Sequence, residues 1–154
     1  MTGTMSNWVV SIVVYRDVAN PNALSHWALA VHLDGKDTGT LIHAAPIPEN
    51  RSRWIVDSRS STTIRSAAAE GSFVIGRLAP NHAWEVLQTI RDEPPPTDGV
   101  ENCQAWVLRA VISLEAEEYV RPGTSTAIES LVGQTADTVA GAAGARWTNG
   151  PARG

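Results

Sequence analysis

Cys103 is the only cysteine in the chain and directly follows Asn102, at the head of a stretch with helical apolar spacing. A thiol at a helix N-terminus feels the positive end of the macrodipole, and nearby backbone N–H groups stabilise a thiolate. The same unpaired N–H groups can hold the oxyanion that develops on an attacked carbonyl. That is the chemistry of a cysteine nucleophile. Cys103 also precedes Val107 and Ala110 on the apolar face of the same stretch. In a plainer reading it is a small core residue.

A thiol nucleophile needs a base within hydrogen-bond reach, and histidine is the side chain best matched to that task. His26 opens one strand-like segment and His43 closes another, with a hairpin between them. Antiparallel pairing would set the two near each other, His26 as base and His43 as the group that orients it. Taken singly, each is also an ordinary strand-end histidine with a local partner. Asp57 and Glu101 are alternative orienting acids. His32 shares the His26 face but sits beside a turn, which predicts a solvated ring. His82 follows a capping position and reads as surface. His26, His43 and Cys103 could in principle ligate zinc, but no C-x-x-C or H-x-x-x-H spacing supports this, and no metal or other cofactor is expected. Trp27 and Trp106 adjoin the two candidate catalytic positions and are expected to wall an apolar pocket. Gln104 is a third candidate for substrate contact, at the oxyanion.

The elements that must position these groups fall in two halves. Trp8 to Tyr15 is rich in β-branched residues and reads as a strand buried on both faces. Asp17 to Asn22 is turn chemistry. His26 to Leu33 alternates with a period of two, and Asp34 to Gly39 is a hairpin connection. Thr40 to His43 returns as a strand that Pro46 and Pro48 are expected to stop. Arg53 to Asp57 and Ser72 to Ala79 are further strands, while Ser58 to Ala69, rich in Ser and Thr, stays unassigned between strand and lid. The second half turns helical. Asn81 is a candidate N-cap for a helix over His82 to Arg91, with Trp84, Leu87 and Ile90 inward. Pro94 to Pro96 forms a linker. A helix from Glu101 or Asn102 to Glu118 buries Trp106, Val107, Ala110, Val111 and Leu114. Pro122-Gly123 breaks it, and Ser125 to Ala143 carries one or two small helices. Residues 145–154 are expected to be a flexible tail after a single domain over 1–144.

Strands followed by helices give an α+β fold, with an antiparallel sheet from the N-terminal half packed against C-terminal helices. The 154 residues suit one domain. A formal charge of −4 argues against a nucleic-acid partner, which needs a basic face. One cysteine excludes an internal disulfide. No segment reads as a targeting signal or transmembrane anchor, so a cytoplasmic location is expected. No G-x-G-x-x-G or P-loop spacing occurs.

His26-Trp27-Ala28-Leu29-Ala30-Val31, then Leu41-Ile42-His43, then Asn102-Cys103-Gln104-Ala105-Trp106 resembles the lecithin retinol acyltransferase type of the circularly permuted papain-like group. The resemblance implies a permuted papain-like fold with His26 as base, His43 as its partner and Cys103 as nucleophile. The family pattern N-C-E-H-F keeps here only Asn-Cys and an aromatic three positions on. The chain also resembles an uncharacterised family of small fungal proteins with H-W-x-x-x-L and C-x-x-W-V motifs, matched by His26-Trp27 with Val31 and by Cys103 to Val107. Two functions follow as expectations. One is a cysteine-dependent acyl hydrolase or acyltransferase on a small ester, thioester or amide. The other is a non-catalytic domain of the same fold that binds a small molecule or peptide.

Overall fold

The most apolar stretch, Trp8–Tyr15, becomes β1 and lies between two neighbours inside the sheet. The computed structural model describes residues 7–16 and 24–153. The other strands are β2 (His26–Leu33), β3 (Thr38–Ile47), β4 (Asn50–Thr63), β5 (Ala69–Leu78) and β6 (Trp147–Asn149). They form one antiparallel sheet in the order β4-β3-β2-β1-β5-β6. The helices are α1 (His82–Arg91), α2 (Cys103–Ala116), α3 (Thr124–Glu129) and α4 (Ala136–Ala143). The α+β architecture expected from the sequence is present. The turn expected at Asp17 to Asn22 lies outside the described residues.

Alternation sorts the sheet into two faces. On one, Ile12, Trp27, Leu29, Ile42 and Phe73 pack under α1 and α2, whose Val86, Ile90, Trp106, Val107 and Leu114 close the main core. On the other, Val13, Ala30, Ile64 and Ala69 form a smaller cluster with Tyr15 and Leu41 beside it. The β4–β5 connection folds Ile64 over this face, which is why β1 is apolar on both sides.

Several elements differ from expectation. The strand does not stop at Pro46; β3 runs to Ile47 because that end pairs with β4 alone, and a proline is tolerated where no second neighbour needs its N–H. The unassigned Ser58 to Ala69 is mostly strand: β4 extends to Thr63 and β5 begins at Ala69. Residues 58–63 were hard to read because they form the part of edge strand β4 that is polar on both faces. Asn81 makes no side-chain cap bond. Trp84 is 64% exposed, since α1 turns Ala83, Val86 and Ile90 inward instead. The expected loose tail adds β6 to the sheet, where Trp147 lies so close over Gly71 that a Cβ there would come within 2.2 Å of the indole.

His32 is also corrected. It is buried, not solvated, because the second face is covered. Its Nδ1–H donates to Leu33 O at 2.8 Å, so Nε2 accepts the Ser11 hydroxyl proton at 2.9 Å. Burial, with Arg65 nearby, holds its proton affinity below the ordinary value, against the opposing pull of Asp34 and the backbone carbonyls. The unfolded chain therefore binds this proton more readily than the folded one. The stabilisation from neutral His32 is complete above about pH 6.5 and is lost as pH falls below it. Denaturant melts at falling pH are expected to show that loss in wild type and a shallower one in His32→Asn. Parallel curves would refute the assignment.

Candidate active site

Helix α2 begins at Cys103 because Asn102, in extended conformation, caps it. Asn102 Oδ1 accepts from Gln104 N at 3.0 Å and Ala105 N at 3.1 Å. Trp106 N reaches Asn102 O at 3.0 Å. The cap thus takes two of the first three helix amides. The N–H of Cys103 is the one left at the helix start for a developing oxyanion, where the sequence suggested several.

The end of β2 explains how α2 meets the sheet. The β2–β3 ladder stops at the Leu29–Ile42 pair, so β3 gives up the backbone of His26 to Ala28. The start of α2 takes its place. Gln104 Nε2 donates to Ser25 O at 2.8 Å, and the Trp27 backbone lies near enough to the Cys103 thiol to favour its ionised form. His26 lies between these two residues, so β2 meets the start of α2 beside it.

His26 continues into a chain of hydrogen bonds. Its Nε2 lies 2.7 Å from His43 Nδ1, with the two rings edge to face at 85°. His43 Nε2 lies 3.2 Å from Asp57 Oδ2. The register dictates this: His43 is directly opposite Asp57 across β3 and β4, and opposed residues share a face. Asp57 Oδ2 also accepts from Arg59 Nε at 2.9 Å. A carboxylate only accepts, so His43 carries its proton on Nε2 and presents Nδ1 as an acceptor. His26 then carries its proton on Nε2, and its lone pair falls on Nδ1. The Asp57 charge thereby fixes both tautomers and is placed to stabilise a proton gained by His26.

A cleft of about 510 Å³ opens over the pair, lined among others by Tyr15, His26, Leu41, His43 and Arg59. Cys103 is 9% exposed. Burial pushes its thiol up, partly offset by backbone donors from Trp27, Gln104 and its own N–H. The resting form is the thiol, not a free-standing thiolate.

The expected substrate contacts fall elsewhere. Trp27 and Trp106 do not wall a pocket; both are fully buried in the main core. The Trp106 indole donates to Glu93 O at 3.0 Å. Gln104 is fully buried, and its Oε1 accepts from Gly133 N at 2.8 Å. With both ends of its amide engaged, it spaces α2 from β2 and does not face a substrate. Glu101 pairs with Arg109 at 3.1 Å and takes no part in the histidine chain. Asp57 is not an alternative to His43 but stands behind it. Arg59 was missed, although strand alternation puts it on the Asp57 face two residues on.

Among the described residues, no group of three His, Cys, Asp or Glu is arranged to hold a metal ion, and no helix is long and apolar enough to cross a membrane. Residues 10–121 match the model of DUF6540, a family of unknown function, and the chain belongs to that family. No curated protein and no solved structure matches it.

Proposed function

We propose that this DUF6540 member is a cysteine-dependent acyl hydrolase or acyltransferase acting on a small ester, thioester or amide, on a permuted papain-like arrangement of its α+β fold. The observation that carries the reading is the His26–His43–Asp57 chain, which ends one residue from Ser25, whose carbonyl accepts from Gln104 beside the thiol. His26 Nδ1 takes the Cys103 proton as the sulfur attacks the acyl carbon. The Cys103 N–H holds the oxyanion. Collapse breaks the bond to the leaving group, which departs with the proton from His26 and leaves a thioester on Cys103. Water then gives its proton to His26 and attacks the thioester. Proton return to sulfur completes hydrolysis. An amine or alcohol in place of water makes the reaction a transfer.

One observation favours a second reading, a non-catalytic binding domain. The thiol is nearly covered, and Cys103 is not among the residues lining the cleft over the histidines.

Intact mass measurement during turnover of small aryl esters and thioesters separates the two. The expected result is an acyl adduct on Cys103 that hydroxylamine removes and Cys103→Ser lacks. Absence of any adduct across the panel supports the binding domain. Among variants, Asp57→Ala is expected to slow acylation about tenfold or more by releasing both tautomers. Asp57→Asn should keep the tautomers but lose the charge that steadies a proton on His26, and so fall between wild type and Asp57→Ala. The Asn oxygen can still accept from both His43 and Arg59, which share one carboxylate oxygen. Equal loss in both variants would mean that charge, not tautomer, is what Asp57 supplies.

A further inference from the structure

We infer that the cleft over His26 and His43 selects an acyl substrate carrying a separate anionic group, a carboxylate or phosphate, held by Arg59 and Arg16; this rests on the acyl-transfer reading above. The lining described for this cleft contains two guanidinium groups and no carboxylate. Their counter-charges stand behind them. Asp57 takes the Nε–H of Arg59, and Glu70 pairs with Arg16 at 3.2 Å. On Arg59 the carboxylate bonded at Nε sets the plane of the guanidinium and leaves the Nη1 and Nη2 donors on the far side, the fork that matches an oxyanion. Arg16 gives Nε and Nη2 to Glu70, and Nη2 also to Ala152 O, so Nη1 is the donor it brings to the cleft. Arg59 is the more open of the two, with a side chain 70% exposed.

The rest of the lining suits a short chain between the anion and the acyl carbon. Tyr15, Leu41 and Ala68 give apolar contact, and Thr62, Thr63 and Ser66 give hydroxyls. The volume fits a small molecule. The reaction itself favours an anion here. When His26 takes the thiol proton, the His26–His43 pair gains a positive charge beside the cleft. A nearby anionic group is then bound more strongly in the transition state than in the ground state, which is the condition for it to speed the reaction.

Binding can be read without chemistry, using the full chain with Cys103→Ser. The probes are adipamate and adipamide, which have equal length and share one amide carbonyl but differ in one carboxylate. Calorimetric titration is expected to show adipamate about tenfold tighter or more. Inorganic phosphate should compete with it, and the preference should narrow as ionic strength rises. Arg59→Gln should remove most of the preference and Arg59→Lys should restore part of it. Equal binding of the two probes, a preference indifferent to Arg59, or no binding of either at about 10 mM overturns the proposal. These outcomes are independent of the thiol. Failure here leaves the Cys103 reading intact, and absence of an acyl adduct leaves the anion site intact.

Discussion

Alanine in place of His26 is expected to lower the rate of Cys103 alkylation by iodoacetamide at neutral pH about 100-fold, and to move its pH dependence. Burial pushes the thiol up, so without a base the sulfur ionises only in alkaline solution. On the proposed reading, the proton passes in the wild type to His26 Nδ1 in the step that forms the S–C bond. The rate should then rise through the imidazole range and level off, well below the roughly pH 8.5 of a free cysteine. In His26→Ala the inflection should lie above that value. His43→Ala is expected to fall between the two, because His26 keeps its ring but loses the acceptor at Nε2. Reagent access to a residue 9% exposed would slow all three proteins alike and leave the shape of the profile unchanged. If wild type and His26→Ala share one profile, or if Cys103 reacts only on unfolding, the thiol is a core group. The binding-domain reading then stands.

The pieces of this site were legible where local pattern decides structure. Asn102 before an apolar helical stretch marked the start of α2, and the hairpin between their strands set His26 and His43 near each other. What escaped was set by distant segments. The burial of His32 goes with the covered second face, where the β4–β5 connection brings Arg65 near it, and no pattern near His32 records that. Asp57 was visible as an acid but not as the residue behind His43. That relation needs the β3–β4 register, and β4 showed only part of its length because its polar half faces solvent. Trp27 and Trp106 adjoin the candidate catalytic positions in sequence yet point into the core. Adjacent residues on a strand face opposite ways, and residues three apart on a helix share a face only in part. Gln104 looked like a substrate ligand because its place in the sequence, next to the thiol, says nothing of the gap that its amide spans.

That gap makes Gln104 the position where fold and site are most closely coupled. It is fully buried, donates to Ser25 O and accepts from Gly133 N, both at 2.8 Å. One side chain thereby ties the entry of β2 and the turn after α3 to the first turn of α2. Removing the amide leaves a carbonyl and an N–H without these partners, at about 1–3 kcal/mol each, and opens a cavity besides. Gln104→Ala is therefore expected to cost about 3 kcal/mol or more of folding stability in denaturant titrations. Gln104→Met fills the volume without the amide and should recover only the cavity part. Gln104→Glu keeps the acceptor for Gly133 N but, when ionised, opposes its charge to Ser25 O. It should be the least stable of the three at neutral pH and recover as pH falls toward the range where a buried carboxyl protonates. The same substitutions reach the thiol. Ser25 and Trp27 bracket His26, so loosening the Ser25 anchor should flatten the alkylation profile of folded Gln104→Met toward that of His26→Ala. If Gln104→Met is as stable as wild type and its profile is unchanged, the amide is not what holds the helix start against β2.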